Sequence, residues 1–136
     1  MWPSRETGRA VTIPPGATIE SSADRIDVLT RLPLLSYLPV PAVVRIASAS
    51  SIERRHPGEA ILAEGGPPGD AYIIWEGRVQ ISQRGRSRRL AGAGELLGEV
   101  ATLHGQVRGE SAVALDDTVL LRLPRDELLV SLTPAV

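Results

Sequence analysis

The sequence contains no cysteine, lysine, asparagine or phenylalanine, and only two histidines among its 136 residues. Without cysteine there are no disulfides, thiol nucleophiles or thiolate metal ligands, so composition leaves the redox compartment open. The histidines, His56 and His104, are far apart in sequence and would need carboxylate help to hold a metal. We therefore predict no metal site and no cofactor.

Basic charge is not in excess either. Fifteen basic residues, all arginine, are balanced by 16 acidic ones, for a net charge of -1. Proteins that neutralise rows of nucleic-acid phosphates usually carry a basic surplus, so we predict no nucleic-acid partner. Four arginines surround a predicted hairpin tip, and we interpret them as a solvated loop because no aromatic residue lies among them: Arg84, Arg86, Arg88 and Arg89.

Long apolar runs are also absent. The longest, residues 32–44, is interrupted by Pro33, Pro39 and Pro41 and falls short of the roughly 20 residues that span a bilayer. The first 22 residues contain no continuous apolar stretch of the kind found in secretory signals. We expect a cytoplasmic protein with no membrane segment in this chain, although a larger parent protein could have one.

The length suits one domain with a modest core. Residues 1–22 are rich in Pro, Gly, Ser and Thr and predict a flexible arm or linker, which leaves residues 23–136 as the domain. A first helix is predicted from Ser22, as its cap, to Leu32. A second is predicted from Pro39 or Pro41 through Ala47, because proline suits a first helical turn.

From residue 52 onward the pattern is that of an all-β domain, with short apolar runs separated by Gly- and Pro-containing turns. A C-terminal helix is predicted for residues 124–132, where Pro124 precedes two acidic residues. The apolar runs predict strands at residues 52–55, 59–63, 72–75, 78–83, 88–91, 111–115 and 119–123.

One segment, residues 94–108, interrupts the β pattern. Glycines precede a short apolar run that Gly105 ends, which predicts a tight turn into a single helical turn. The start of such a helix presents unpaired N–H groups and partial positive charge, which suit a phosphate. Glu99 at this start either complements the helix dipole or accepts a hydrogen bond from a sugar hydroxyl. Arg108 is a solvated surface arginine, a partner for Glu110, or a residue that binds a phosphate bidentately.

The run Gly98-Glu99-Val100-Ala101-Thr102-Leu103, with Arg108 nine residues after Glu99, resembles the phosphate-binding cassette of cyclic-nucleotide-binding domains. That pattern is Phe-Gly-Glu-x-Ala-Leu, a short gap and then Arg. Supporting landmarks occur in order at Pro57-Gly58-Glu59, Glu64-Gly65, Gly77 and Gly94, so the resemblance covers residues 32–132. It implies a mainly β fold: an eight-stranded, jelly-roll-like β-roll with two N-terminal helices, a short cassette helix and a truncated C-terminal helix.

The resemblance also implies a ligand site formed by Gly98, Glu99, Val100, Ala101, Arg108 and Gly109. Glu99 would bind the ribose 2′-hydroxyl and Arg108 the cyclic phosphate, while backbone amides of Val100, Ala101 and Gly109 would complete the phosphate cradle. No nucleophile–base pair accompanies these residues, so we predict no catalysis. The implied function is a regulatory module that binds a cyclic nucleotide and passes a conformational shift to an effector outside this chain.

The sequence departs from the cassette pattern in four places. Leu97 replaces the phenylalanine and Thr102 replaces an apolar residue. Gly109 lacks the side-chain hydroxyl common at this position in cGMP binders, which favours cAMP over cGMP. Glu110 is two residues from Arg108 and, in an extended segment, would share its face; there it would pair with that arginine, repel a phosphate, or turn away into solvent.

Two other hypotheses remain beside the sensor. The first is a degenerate domain that binds no nucleotide and serves protein interaction or oligomerisation, including as a homodimer. The second is a jelly-roll metalloenzyme, which fits less well because the sequence lacks the histidine and carboxylate cluster that such enzymes need.

Overall fold

The computed structural model describes residues 10–132, and two helices precede its sheets. Helix α1 spans Ser22–Arg31 and α2 spans Val40–Ala49. The cap of α1 is Ser21, one residue before the predicted cap, and its Oγ accepts a hydrogen bond from the Asp24 amide at 3.2 Å. Pro39 caps α2 with a φ of -63°, so both predicted helices form close to their predicted bounds.

Within the described residues, the rest of the fold is built from eight strands in two antiparallel sheets. The order in one sheet is β1-β8-β3-β6 and in the other β2-β7-β4-β5. The predicted mainly β fold, an eight-stranded roll with flanking helices, is therefore confirmed. The strands are β1 (Ser51–Arg55), β2 (Ala60–Leu62), β3 (Ala71–Glu76), β4 (Val79–Gln83), β5 (Arg86–Ala91), β6 (Leu96–Leu97), β7 (Ser111–Ala114) and β8 (Thr118–Leu123).

Two further helices interrupt and close the roll. Helix α3, Glu99–His104, follows β6 and is the predicted cassette helix, while α4, Arg125–Leu132, follows β8. Gly98 precedes α3 at φ +79° and Gly105 ends it at φ +65°, in the left-handed region that glycine enters without steric cost. The two glycines therefore fix both ends of this short helix.

Strands β3 and β8 are buried on both faces. Ile73 and Leu121 pack in a cluster with the helices, whereas Ile74 and Leu120 pack in a second cluster between the two sheets. All four are fully buried. Each such side chain contributes about 1.5–3 kcal/mol by leaving water, so these two strands form a wall shared by both halves of the core.

The segment before α1 packs against the roll. Ala10 forms an antiparallel bridge with Glu95, and the Val11 amide donates to the Gly94 carbonyl at 2.9 Å. Ile19 is only 5% exposed. Residues 10–21, which belong to the predicted arm, thus contribute apolar side chains to the cluster that includes the helices. Residues 1–9 of that predicted arm lie outside the described residues.

Two absences hold for residues 10–132. No helix there combines the length and apolar character that crossing a membrane requires. Nor do three or more metal-ligating side chains converge anywhere in that range.

Candidate functional site

Two adjoining cavities flank the cassette. The smaller, about 280 Å³, is lined by all six residues predicted from sequence: Gly98, Glu99, Val100, Ala101, Arg108 and Gly109. The larger, about 480 Å³, shares Gly98, Glu99 and Val100 with it and extends toward Arg89 and the residues that follow α1. Cavities of a few hundred Å³ belong to the size class that holds small ligands.

Arg108 is a buried cation held only by neutral groups. It is 7% exposed, its Nη1 donates to the Gly98 carbonyl at 2.9 Å and its Nη2 donates to the Asp70 carbonyl at 2.7 Å. Nη1 also lies 3.4 Å from Thr102 Oγ1. Burial lowers the pKa of the Arg108 guanidinium from its ordinary value, yet arginine remains charged in proteins.

That arrangement leaves positive charge inside the protein without a carboxylate partner among the described residues. A buried charge is costly unless an opposite charge compensates it. The Arg108 guanidinium is therefore suited to an anionic partner, while two carboxylates, Glu99 and Glu110, line the same cavity.

Glycines make the space that the guanidinium occupies. A Cβ at Gly98 would lie 2.5 Å from Arg108 Nη1, and one at Gly69 would lie 3.2 Å from Nη2. The backbone is fixed as well, because the Arg108 amide donates to the Gly66 carbonyl and the Gly65 amide donates to the Arg108 carbonyl, each at 2.8 Å. Larger residues at Gly98 would force the guanidinium out of its place.

The other predicted residues surround the same cavity. Glu99 begins α3 and is half-buried, Ala101 is 6% exposed, and Val100 is exposed beside the opening. A Cβ added at Gly109 would meet nothing within 4 Å, so space is open there. Glu110 lines both cavities and is exposed. It is not folded onto Arg108, whose described contacts are all to neutral groups.

Arg89 is a site residue that the sequence interpretation missed. It was placed with the solvated loop arginines, but its side chain is 12% exposed and its Nη1 donates to Glu95 Oε1 at 2.6 Å. Arg89 pairs with the buried Ile81 and lies two residues before the buried Ala91, so it faces the interior of the roll. Arg84, Arg86 and Arg88 are exposed, as expected.

Asp70 links the cassette to the C-terminal helix. Its carbonyl accepts from Arg108, its Oδ1 accepts the amide of Arg125 at 2.8 Å, and its Oδ2 pairs with Arg122. Arg125 Nε in turn donates to the Thr102 carbonyl at 2.8 Å. No motif pointed to Asp70, although it directly precedes the apolar strand β3.

Comparison with known proteins gives concordant matches. The model of the family "Cyclic nucleotide-binding domain" matches residues 52–132. A cyclic AMP receptor protein of Thermus thermophilus is 36% identical over 95 residues, which are 65% of this chain and 44% of that protein. A cGMP-dependent protein kinase of Caenorhabditis briggsae is 27% identical over 99 residues, 73% of this chain and 13% of the kinase.

Among solved structures, the regulatory subunit of a cAMP-independent protein kinase A from Trypanosoma cruzi, bound to guanosine, superposes with a TM-score of 0.73 at 27% identity. That match covers 88% of this chain and 44% of the other. The chain thus spans less than half the length of each of these relatives.

Proposed function

Because the chain belongs to the cyclic nucleotide-binding domain family, we propose that its two adjoining cavities bind a cyclic nucleotide, with cAMP favoured over cGMP. In this proposal Glu99 holds the ribose, Arg108 holds the cyclic phosphate, and the amides of Val100, Ala101 and Gly109 complete the cradle. Binding shifts the helices around the roll, and an effector outside the described residues receives that shift. The domain has a regulatory role and performs no catalysis.

The buried guanidinium of Arg108 is the observation that carries the proposal. Its described partners engage both Nη1 and Nη2, but Nε–H and one Nη2–H have no acceptor among the described residues. A phosphate accepts two hydrogen bonds from one guanidinium and carries the opposite charge. The unused hydrogen-bonding capacity of Arg108 and its positive charge therefore both favour a phosphate.

Gly109 supports the preference for cAMP. It offers no hydroxyl to the ligand, and the space at its Cβ position is empty. Arg89, in the larger cavity, would favour guanine if its donors reached both N7 and O6, because guanine presents two acceptors at that edge. Its Nη1 already donates a hydrogen bond to the buried Glu95, which leaves fewer donors for guanine and argues against a preference for cGMP.

Calorimetric titration with cAMP and cGMP tests the binding proposal. Replacing one partner of a buried charge pair costs about 2–5 kcal/mol, so Arg108→Ala should weaken binding by roughly 30-fold or more. Arg78→Ala is the matched control, because Arg78 is an exposed arginine paired with Asp116 outside both cavities. An absence of binding heat from the intact chain at millimolar cAMP and cGMP would overturn the proposal.

The preference for cAMP has its own test at Gly109. Gly109→Thr adds a hydroxyl in open space, and we expect it to raise the affinity for cGMP relative to cAMP. Gly109→Val adds the same bulk without the hydroxyl and should leave the ratio unchanged. Two results would contradict the proposed preference for cAMP. One is the same ratio of cGMP to cAMP affinity in the unsubstituted chain and both variants; the other is an unsubstituted chain that binds cGMP more tightly than cAMP.

Glu110 favours a second candidate function. Its carboxylate lines both cavities, where it would repel a ligand phosphate, as expected of a degenerate domain used for protein interaction or oligomerisation. If the intact chain binds no cyclic nucleotide but Glu110→Gln does, this candidate replaces the first. Light scattering after size exclusion then shows whether the chain forms a homodimer.

A further inference from the structure

Thr102 places a buried hydroxyl between three segments of the site. The residue lies in α3 and is fully buried. Its Oγ1 is 2.6 Å from the Gly69 carbonyl oxygen, 2.9 Å from the Gly98 carbonyl oxygen and 3.4 Å from Arg108 Nη1. The hydroxyl therefore contacts the loop before β3, the turn before α3 and the phosphate-binding side chain.

Counting donors and acceptors assigns the single proton of this hydroxyl. The Gly98 carbonyl already accepts from the Thr102 amide at 3.1 Å and from Arg108 Nη1 at 2.9 Å, which uses both of its lone pairs. The Gly69 carbonyl is closer to Oγ1 and has no other hydrogen-bond donor among the described residues. The proton is thus donated to Gly69, and the lone pairs of Oγ1 remain for Arg108 Nη1.

We propose that Thr102 is a positioning residue for Arg108, an inference that rests on the proposed function. The guanidinium is held by two carbonyls, one from Gly98 and one from Asp70. The Thr102 hydroxyl ties together the segments that carry those carbonyls: it donates to Gly69, which directly precedes Asp70, while the amide of the same residue donates to the Gly98 carbonyl. By fixing both segments, the hydroxyl preorganises the guanidinium for the cyclic phosphate, and preorganisation strengthens binding by lowering its ordering cost.

The test compares Thr102→Val, which keeps the shape but removes the hydroxyl, with Thr102→Ser, which keeps the hydroxyl. We expect Thr102→Val to weaken cAMP binding by about tenfold or more, consistent with losing a hydrogen bond to a charged group. Thr102→Ser should bind within about threefold of the intact chain, because the hydroxyl it retains still serves Gly69 and Arg108. Thr118→Val is the matched control, since Thr118 is 1% exposed and its Oγ1 bonds to Asp116 away from both cavities.

A second measurement separates positioning from a general loss of stability and needs no ligand. The Nε–H resonance of Arg108 in the ligand-free protein should change in shift and exchange in Thr102→Val, but not in Thr118→Val. Three results would each overturn the inference. The first is unchanged cAMP binding in Thr102→Val; the others are a loss of cAMP affinity in Thr102→Ser, or in Thr118→Val, as large as that in Thr102→Val. If the intact chain binds no cyclic nucleotide, the proposed function fails, and an unchanged Arg108 resonance in Thr102→Val would refute the positioning role separately.

Discussion

Replacing Gly98 by alanine should damage the site more than the fold. Gly98 has a φ of +79°, and a Cβ there would lie 2.5 Å from Arg108 Nη1 and 3.3 Å from its Cζ. The left-handed conformation costs a residue with a Cβ about 1–2 kcal/mol. The contact adds a second effect, because the guanidinium must move away and lose its bond to the Gly98 carbonyl.

The two effects have different magnitudes and different assays. An unfolding entropy of about 2.1 cal/mol/K per residue over 136 residues converts the backbone strain into a fall in Tm of roughly 3.5–7 °C. Displacing the guanidinium should weaken cAMP binding by about tenfold or more, since charge-assisted hydrogen bonds contribute about 1.5–3 kcal/mol. Differential scanning calorimetry measures the first effect and titration calorimetry the second.

Gly85→Ala supplies the matched control. Gly85 has a φ of +74°, but a Cβ there would meet nothing within 4 Å, and the residue lies at the tip of the β4–β5 hairpin. Its alanine variant should lose similar stability and keep its affinity for cAMP. If Gly98→Ala binds cAMP as tightly as Gly85→Ala does, the position of the Arg108 guanidinium does not govern binding and the reasoning fails.

Two further predictions concern other parts of the chain. Gly94→Ala should lower Tm well below that of the control Gly85→Ala. Both glycines have a positive φ, but a Cβ at Gly94 would lie 1.8 Å from the Val11 carbonyl oxygen, whereas one at Gly85 would meet nothing within 4 Å; equal Tm values would show that residues 10–21 do not dock there. The Arg78 hydrogen bond lowers the pKa of Asp116 below 3.8, so its stabilisation is present above pH 3.8 and is lost as pH falls through the lowered pKa. In Arg78→Gln, an NMR titration should show a higher pKa for Asp116 than in the unmodified protein. An unchanged pKa would contradict the pairing of Arg78 with Asp116.

The elements that could be predicted from sequence are those with local signals. Proline before α2 and the glycines around α3 mark those helices within a few residues. Strand β6 has no such signal: Leu96 and Leu97 form a strand only through pairing with Ile73 and Tyr72, more than twenty residues earlier in the chain. Sequence periodicity cannot show a pairing of that separation.

The same distinction applies to the site. Its six predicted residues are close in sequence, so one motif and its resemblance identified them together, and the structure places them around one cavity. Arg89 was missed because it lies next in sequence to exposed arginines of the hairpin, although it is two residues before Ala91 and shares the buried face of β5. Asp70 and Thr102 were missed because their importance comes from contacts with Arg108, which depend on tertiary packing.

The double burial of β3 and β8 also has a mechanical consequence. A displacement of either strand would open space in both hydrophobic clusters at once, and residual cavity volume is costly. We expect this pair of strands to be the most rigid part of the two sheets. Strand β6, by contrast, is two residues long and lies at the margin of the sheet, with α3 attached directly to it. We therefore expect displacements of the cassette to be accommodated at this margin more easily than within β3 and β8.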